Sequence, residues 1–256
     1  MTIRLDLHIH SQRSVDGCMS IPDIVAQARQ RGLQGIAVCD HDAALETVPQ
    51  YDDFLIIPGI EVSTERGHVL GLFITEQIST SQFDEAVHMI HTQGGLAVIA
   101  HPFEHSLDIH RLDNVIEQLD GVEIWNGRAD RKNKRANAMA LELAKQWKKP
   151  VTAGSDAHIP EEIGNGIVTV EVDALDLLSV RQALLRGAAE VQGKRGRSIC
   201  VAKSQLQKRK RTNAGIAAYG KWVLFAAKCF AEDCIRGKES DHVIDCKTWQ
   251  KGKTNR

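Results

Sequence analysis

The stretch Ile3-Arg4-Leu5-Asp6-Leu7-His8-Ile9-His10 decides how the rest of the chain is read. Its alternation predicts a strand, and side chains two apart on a strand share a face. His8 and His10 can therefore grip one metal ion together. A lone His-x-His is weak, because exposed strand faces carry histidines by chance. Far along the chain, Gly154-Ser155-Asp156-Ala157-His158 closes another apolar strand and offers a carboxylate and an imidazole at the same spacing. Two such pairs are hard to explain as accident.

Between them, short apolar β-branched runs alternate with helical patterns up to about residue 190, which predicts α/β architecture with a parallel sheet. Strands are expected at 3–9, 35–39, 54–62, 68–74, 96–100, 121–125, 151–154 and 167–172. Helices are expected near 21–31, 81–93, 130–147 and 174–187. Ser20 reads as an N-cap ahead of Pro22, and Asp173 as the cap of the last of these helices. The chemically capable residues fall where strands end: His8 and His10, Asp40-His41-Asp42, Glu61, His101, Asn126, Asp156 and His158. Parallel α/β folds build their sites at that end. A seven- or eight-stranded barrel gathers such ends into a ring better than an open sheet does.

The 256 residues are 43% apolar, enough for a sizeable core, and no run approaches the roughly 18 apolar residues of a membrane span. No transmembrane segment is expected, and the first strand leaves no room for a signal peptide. The cysteines (18, 39, 200, 229, 234, 246) show no paired framework, which points to a reducing, cytoplasmic setting. The net charge of −1 hides a split. Residues 194–256 hold 16 Lys and Arg against 5 Asp and Glu, and the 193 residues before them hold 16 against 28. The chain is thus divided into an acidic body, 1–193, and a basic C-terminal tail, 194–256, containing a helix over 214–235. The tail is expected to dock on the body through that helix's apolar faces, or to meet an anionic partner such as nucleic acid, and to be dispensable for metal binding. Cys229, Cys234, His242 and Cys246 are enough soft ligands for a structural zinc, but a helix would turn 229 and 234 to divergent sides.

His8, His10, Asp16, His41, Glu61, His68, His101, Asp156 and His158 form the candidate ligand set. Nine N and O donors without a thiolate exceed one ion's needs and fit two or three divalent ions, Zn, Mn or Fe. Asp6, Asp40 and Asp42 neighbour ligands and are placed to orient imidazoles, although Asp42 also suits an N-cap. His88, His91, His105, His110 and His242 read as ordinary surface or packing residues. Asn126 and Arg128 follow a strand end, where a guanidinium suits a phosphate; a weaker candidate of the same kind is Arg13.

In order, Asp-Leu-His-Ile-His-Ser, Cys-Asp-His-Asp, Pro-Gly-Ile-Glu, His-Val-Leu-Gly-Leu, Ala-His-Pro-Phe and Gly-Ser-Asp-Ala-His resemble the motifs of the polymerase and histidinol phosphatase (PHP) superfamily, over about residues 3–192. The resemblance implies a distorted (β/α)7 TIM-like barrel with a metal cluster that hydrolyses phosphoesters. It implies a first ion on His8, His10, Glu61 and Asp156, a second on Glu61, His68 and His101, and a third on Asp16, His41 and His158. Asp16 stands where several members carry histidine.

The resulting expectation is a metal-dependent phosphoesterase acting on a small phosphorylated substrate or a nucleotide. Glu61 and Asp156 are its central carboxylates, a hydroxide bridging the ions attacks phosphorus, and His158 and Arg128 assist. Only 54 residues separate His101 from Asp156, too few for a dedicated cap domain. A nuclease whose basic tail holds the nucleic acid is the alternative. An amidohydrolase barrel also opens with His-x-His but typically bridges its metals with a modified lysine, and no lysine precedes Lys132 here. Oligomeric state is left open.

Overall fold

The structure, a computed structural model, describes residues 1–108, 110–236 and 241–246. Among the described residues ten strands form one sheet: β1 (Thr2–Ile9), β2 (Gly35–Val38), β3 (Leu55–Thr64), β4 (Gly67–Leu72), β5 (Leu96–Ile99), β6 (Gly121–Asn126), β7 (Val151–Gly154), β8 (Gly166–Glu171), β9 (Glu190–Gly193) and β10 (His242–Asp245). Their order is β10-β9-β8-β1-β2-β3-β4-β5-β6-β7. The sheet curls into a TIM-like half-barrel, so that the end of β7 returns to β1. The Asp156 amide donates to His8 O at 2.8 Å, and the His10 amide donates to Ala157 O at 2.9 Å. The seam is possible because β7 ends in glycine: a Cβ on Gly154 would lie 2.2 Å from His8 Cβ.

The expected all-parallel repeat gives way to a mixed sheet. β1–β2–β3 and β5–β6–β7 pair in parallel, but β4 runs antiparallel to both β3 and β5, and β8 antiparallel to β1. The cause is local. Only Glu65 and Arg66 separate β3 from β4, room for a hairpin and not for the crossover that a parallel strand needs. This reversal matters for the site: β4 begins at the end of the barrel where its neighbours finish, so His68 at its start joins their C-terminal residues.

The helices on the body are α1 (Ile21–Gln30), α2 (Phe83–Thr92), α3 (Ala136–Trp147) and α4 (Leu177–Arg186). Ser20 caps α1, its Oγ accepting from the Asp23 amide. Asp176, not Asp173, caps α4, accepting from the Ser179 amide at 2.7 Å. The main core is lined by residues such as Leu5, Leu7, Ile57, Ile60, Leu70, Phe83 and Ile99, all fully buried.

Beyond residue 193 lie two more helices, α5 (Ser198–Arg211) and α6 (Ile216–Arg236), and then β10, which extends the sheet on β9. α5 is the helix that lies against the body: Lys203 pairs with Glu161 at 2.5 Å, and Ser198 and Ser204 are fully buried. The helix expected to dock by apolar faces, α6, packs on α5, where Trp222 donates to Ala202 O, and meets the body where the Arg131 guanidinium lies over the Phe225 ring. It leaves Ile216, Val223, Leu224, Phe230 and Ile235 exposed. No helix among the described residues is long and apolar enough to cross a membrane.

Candidate metal centre

The ends of β1, β2, β3, β5 and β7 and the start of β4 converge on one point. Two of the candidate ligands there, His101 (φ 28°) and Asp156 (φ 55°), and Asp42 (φ 49°) next to His41 carry left-handed backbone, a conformation that costs energy in non-glycine residues and concentrates at functional sites. Glu61, fully buried, is the hub. Its Oε2 lies 3.4 Å from His8 Nε2, 3.3 Å from His10 Nε2 and 2.8 Å from His41 Nδ1. Its Oε1 lies 2.7 Å from His68 Nδ1 and 3.0 Å from His101 Nε2. Asp156 Oδ1 is 3.1 Å from His10 Nε2 and 3.9 Å from His8 Nε2. His158 lies against His10 with ring centroids 4.1 Å apart and the rings tilted by 33°, and Asp16 Oδ1 is 3.5 Å from His158 Nε2. All nine candidate ligands thus lie in one cluster.

Four triads offer donor atoms within 4.8 Å of one another: His8–His10–Asp156, His8–Glu61–His101, His41–Glu61–His68 and His10–His41–His158. Asp16 belongs to none of them and touches the cluster only through His158. The donor set fits divalent cations. Ligands around a tetrahedral ion at about 2.1 Å stand roughly 3.4 Å apart, and the Nε2 atoms of His8 and His10 face each other at 3.2 Å. Glu61 Oε2 and Asp16 Oδ1 are buried without a hydrogen-bond partner, an arrangement that is costly unless a cation or proton supplies the missing contact. No triad includes a cysteine among the described residues.

Electrostatics carry the same signature. Burial opposes charge on His41 and His101, but Glu61 beside both outweighs it and pushes each pKa up to about 9. Burial is likewise outweighed at Glu61 and Asp156, which the surrounding imidazoles hold well below the usual carboxylate range. His10 goes the other way: burial, then His158 and His41, hold it well below an ordinary histidine. With the carboxylates ionised and the imidazoles of His41 and His101 favoured in their protonated form, the cluster is suited to release imidazole protons when metal ions bind.

Outer contacts orient the ligands, and the most important of them escaped the sequence reading. Glu123, buried in β6, accepts from His8 Nδ1 at 3.0 Å through Oε1, and from the His101 amide at 2.8 Å through Oε2. Its signal was available, as a carboxylate inside an apolar strand. Asp40 works at one remove: it accepts from the amides and hydroxyls of Ser11 and Ser14, and Ser14 Oγ meets His10 Nδ1 at 3.1 Å. Asp6 touches no imidazole ring and instead accepts from the amides of Ser155 and Gly164. Asp42 starts no helix; it accepts from the amide and hydroxyl of Ser63.

The cluster floors a cavity of about 370 Å³ walled by Glu104, His105, Arg128, Arg131, Lys132, Gln205, Arg209 and Phe225. Arg128 lies at this wall, but its fork is occupied: Nε and Nη2 reach Glu162 Oε1 and Oε2 at 2.7 and 2.5 Å. The guanidinium expected to meet a phosphate is thus held by Glu162. Glu162 also accepts from the His158 amide at 3.0 Å, so Arg128 supports the loop that carries His158. Asn126 is structural as well, accepting from the amides of Arg128 and Ala129, and Arg13 donates to Ala44 O. His105, read as ordinary, lies at the cavity wall beside Glu104, 3.3 Å away.

A half-barrel whose strand ends converge on imidazoles gathered around Glu61 has the donor set of a multi-metal centre, and the family match makes that centre the one of a metal-dependent phosphoesterase family. The chain belongs to the PHP domain family, which it matches over residues 6–149, with a PHP-associated C-terminal match over 134–189. An uncharacterised protein of Methanocaldococcus jannaschii is 29% identical over 199 residues, 71% of this chain and 78% of the relative. A probable phosphatase of Shewanella amazonensis is 24% identical over 201 residues, 64% of this chain and 80% of the relative. Among solved structures, a two-domain protein of Bacteroides vulgatus containing a predicted PHP-like metal-dependent phosphoesterase superposes with a TM-score of 0.60 at 18% identity. That match covers 81% of this chain and 70% of the other. The lesion-specific endonuclease Q of Pyrococcus furiosus superposes with a TM-score of 0.56 at 18% identity, over 77% and 60% of the two chains.

Proposed function

We propose that the protein hydrolyses a small phosphomonoester or nucleotide with two or three divalent ions held at the Glu61 cluster. The observation that carries this reading is the two-sided environment of Glu61, with His8, His10 and His41 around one oxygen and His68 and His101 around the other. His8, His10, Glu61 and Asp156 would hold one ion, and Glu61, His68 and His101 a second. A third would rest on His41 and His158, with Asp16 behind. Bound divalent ions supply Lewis acidity for water and for the phosphoryl oxygens. The chain's own part is to orient and enclose. Glu123 fixes the His8 ring, and Asp40 through Ser14 fixes His10. The cavity is at the small end of the range for small-molecule sites; in its wall Lys132 is paired with Glu104 at 3.1 Å and Arg209 donates to Ala218 O and Gln205 O, so it is Arg131, lying over Phe225, that favours an anionic substrate.

The basic rim leaves nucleic acid as a second reading, and the fold likeness to a lesion-specific endonuclease keeps it in view. Against it, several of the tail's charges are already used within the chain: Lys203 on Glu161 at 2.5 Å, Lys208 near Asp16 at 3.9 Å, and Arg211 on backbone carbonyls. The deciding experiment is metal analysis of purified protein with a screen of phosphomonoesters, nucleotides and short oligonucleotides. Chelator-sensitive release of phosphate from monoesters is expected. Cleavage of oligonucleotides without monoester turnover would transfer the proposal to the nuclease.

A further inference from the structure

The loop over residues 11–18 joins β1 to α1 and carries two things the cluster needs: Ser14, which holds the His10 ring, and Asp16 itself. It is tightly wound, since a Cβ on Gly17 would lie 1.9 Å from Ser11 O. Asp40 grips it from within, through the four hydrogen bonds from Ser11 and Ser14. A second grip comes from outside. Arg211, in the last turn of α5, donates through Nη1 to Ser14 O at 2.7 Å and to Gly17 O at 2.9 Å, and through Nη2 to Gln12 O at 2.6 Å. One planar guanidinium thus ties down three carbonyls that bracket Asp16, about two hundred residues away in sequence. An ammonium, a point charge on a flexible stem, does not span them with the same fixed geometry.

We propose that Arg211 is a positioning residue for the third metal site: it locks the 11–18 loop so that Asp16 faces His158. The inference rests on the proposed reading of the cluster as a metal centre. α5 lies beyond the residues that the PHP family models match, 6–149 and 134–189. Without it, the Asp40 contacts still hold Ser11 and Ser14 from below, and the first two ligand sets, which do not include Asp16, stay in place. Asp16 alone would lose its fixed direction.

The test uses the full chain as wild type, Arg211→Ala and Arg211→Lys, with two readouts. The first is hydrogen exchange of the metal-free protein. The amides of Gln12, Gly17 and Cys18, all hydrogen-bonded in or beneath the loop, should exchange at least ~10-fold faster in Arg211→Ala, with the Asp40-held Ser14 amide, β1 and β7 unchanged. The second is titration with Mn²⁺ or Zn²⁺, in which the weakest of three equivalents should lose at least ~10-fold in affinity, the other two should hold, and Arg211→Lys should fall between. Unaltered loop exchange, or equal weakening of all three equivalents, would overturn the proposal. A wild-type chain that takes up fewer than three ions removes the third site on which the proposal depends. Loop exchange then decides the clamp separately, so failure of the metal reading and failure of the clamp are told apart.

Discussion

Glu61 concentrates the chemistry of the site in one side chain. Glu61→Gln keeps its volume and removes the charge shared between the two groups of imidazoles. Phosphoester turnover should fall at least ~100-fold, the scale of a lost electrostatic contribution, while circular dichroism stays native. Near-normal turnover with full metal content would place the bridge elsewhere. Glu123 acts through His8, so Glu123→Gln should weaken metal binding by about 10- to 100-fold, measured by competition with a chelator. The raised imidazoles make a prediction about pH. His41 and His101 titrate near 9 in the fold against 6.5 for an ordinary histidine. Their stabilising contribution to the metal-free protein is therefore complete below about 6.5 and lost as pH rises through about 9. Melting temperature of the metal-free protein should drop across that window, and saturating metal should abolish the drop. An unchanged melting temperature would mean that these rings are neutral throughout.

At the scale of elements, the strand ends are where sequence and structure meet most closely. His8, His10, Glu61, His101 and Asp156 were legible because apolar runs with a polar terminus mark a strand's end. His68 was harder: it opens a strand, and it reaches the cluster only because the short Glu65-Arg66 turn reverses β4, a fact of connection length and not of local pattern. Glu123 was missed because its role is defined by His8, 115 residues away. Nothing near Arg128 in sequence announces Glu162 as its partner either. The β7–β1 seam offers a direct test. Gly154→Ala would drive a methyl into His8, 2.2 Å away from its Cβ, in a fully packed setting where overpacking costs about 1–3 kcal/mol or more. A fall in denaturation midpoint together with weaker metal binding is expected, because the seam sets the spacing of His8 and Asp156. Loss of stability with metal affinity intact would separate the seam from the site.

For the whole molecule, the question is what residues after 193 contribute. Charge composition divided the chain there, an acidic body from a basic tail, and that contrast is real in the sequence. Composition does not show how the tail is used. In the fold, α5 supplies Gln205 and Arg209 to the cavity wall, its Ser204 Oγ lies 3.4 Å from Arg128 Nη2, and β10 adds a strand to the sheet edge. The sequence reading held the tail dispensable for metal binding because all nine ligands precede it; the contacts of α5 lead to a different expectation. A chain ending at Gly193 should keep its two strongest metal equivalents, whose ligands are held by the half-barrel. It should lose the third, bind more of a hydrophobic dye where α5 has been removed, and melt at lower temperature. Turnover of a small phosphomonoester should fall while that of the full-length Arg211→Ala variant falls less, because truncation removes the cavity wall as well as the clamp. If the shortened chain binds three ions with full-length affinity and hydrolyses the monoester at the full-length rate, α5 is packing alone and the site ends with the half-barrel.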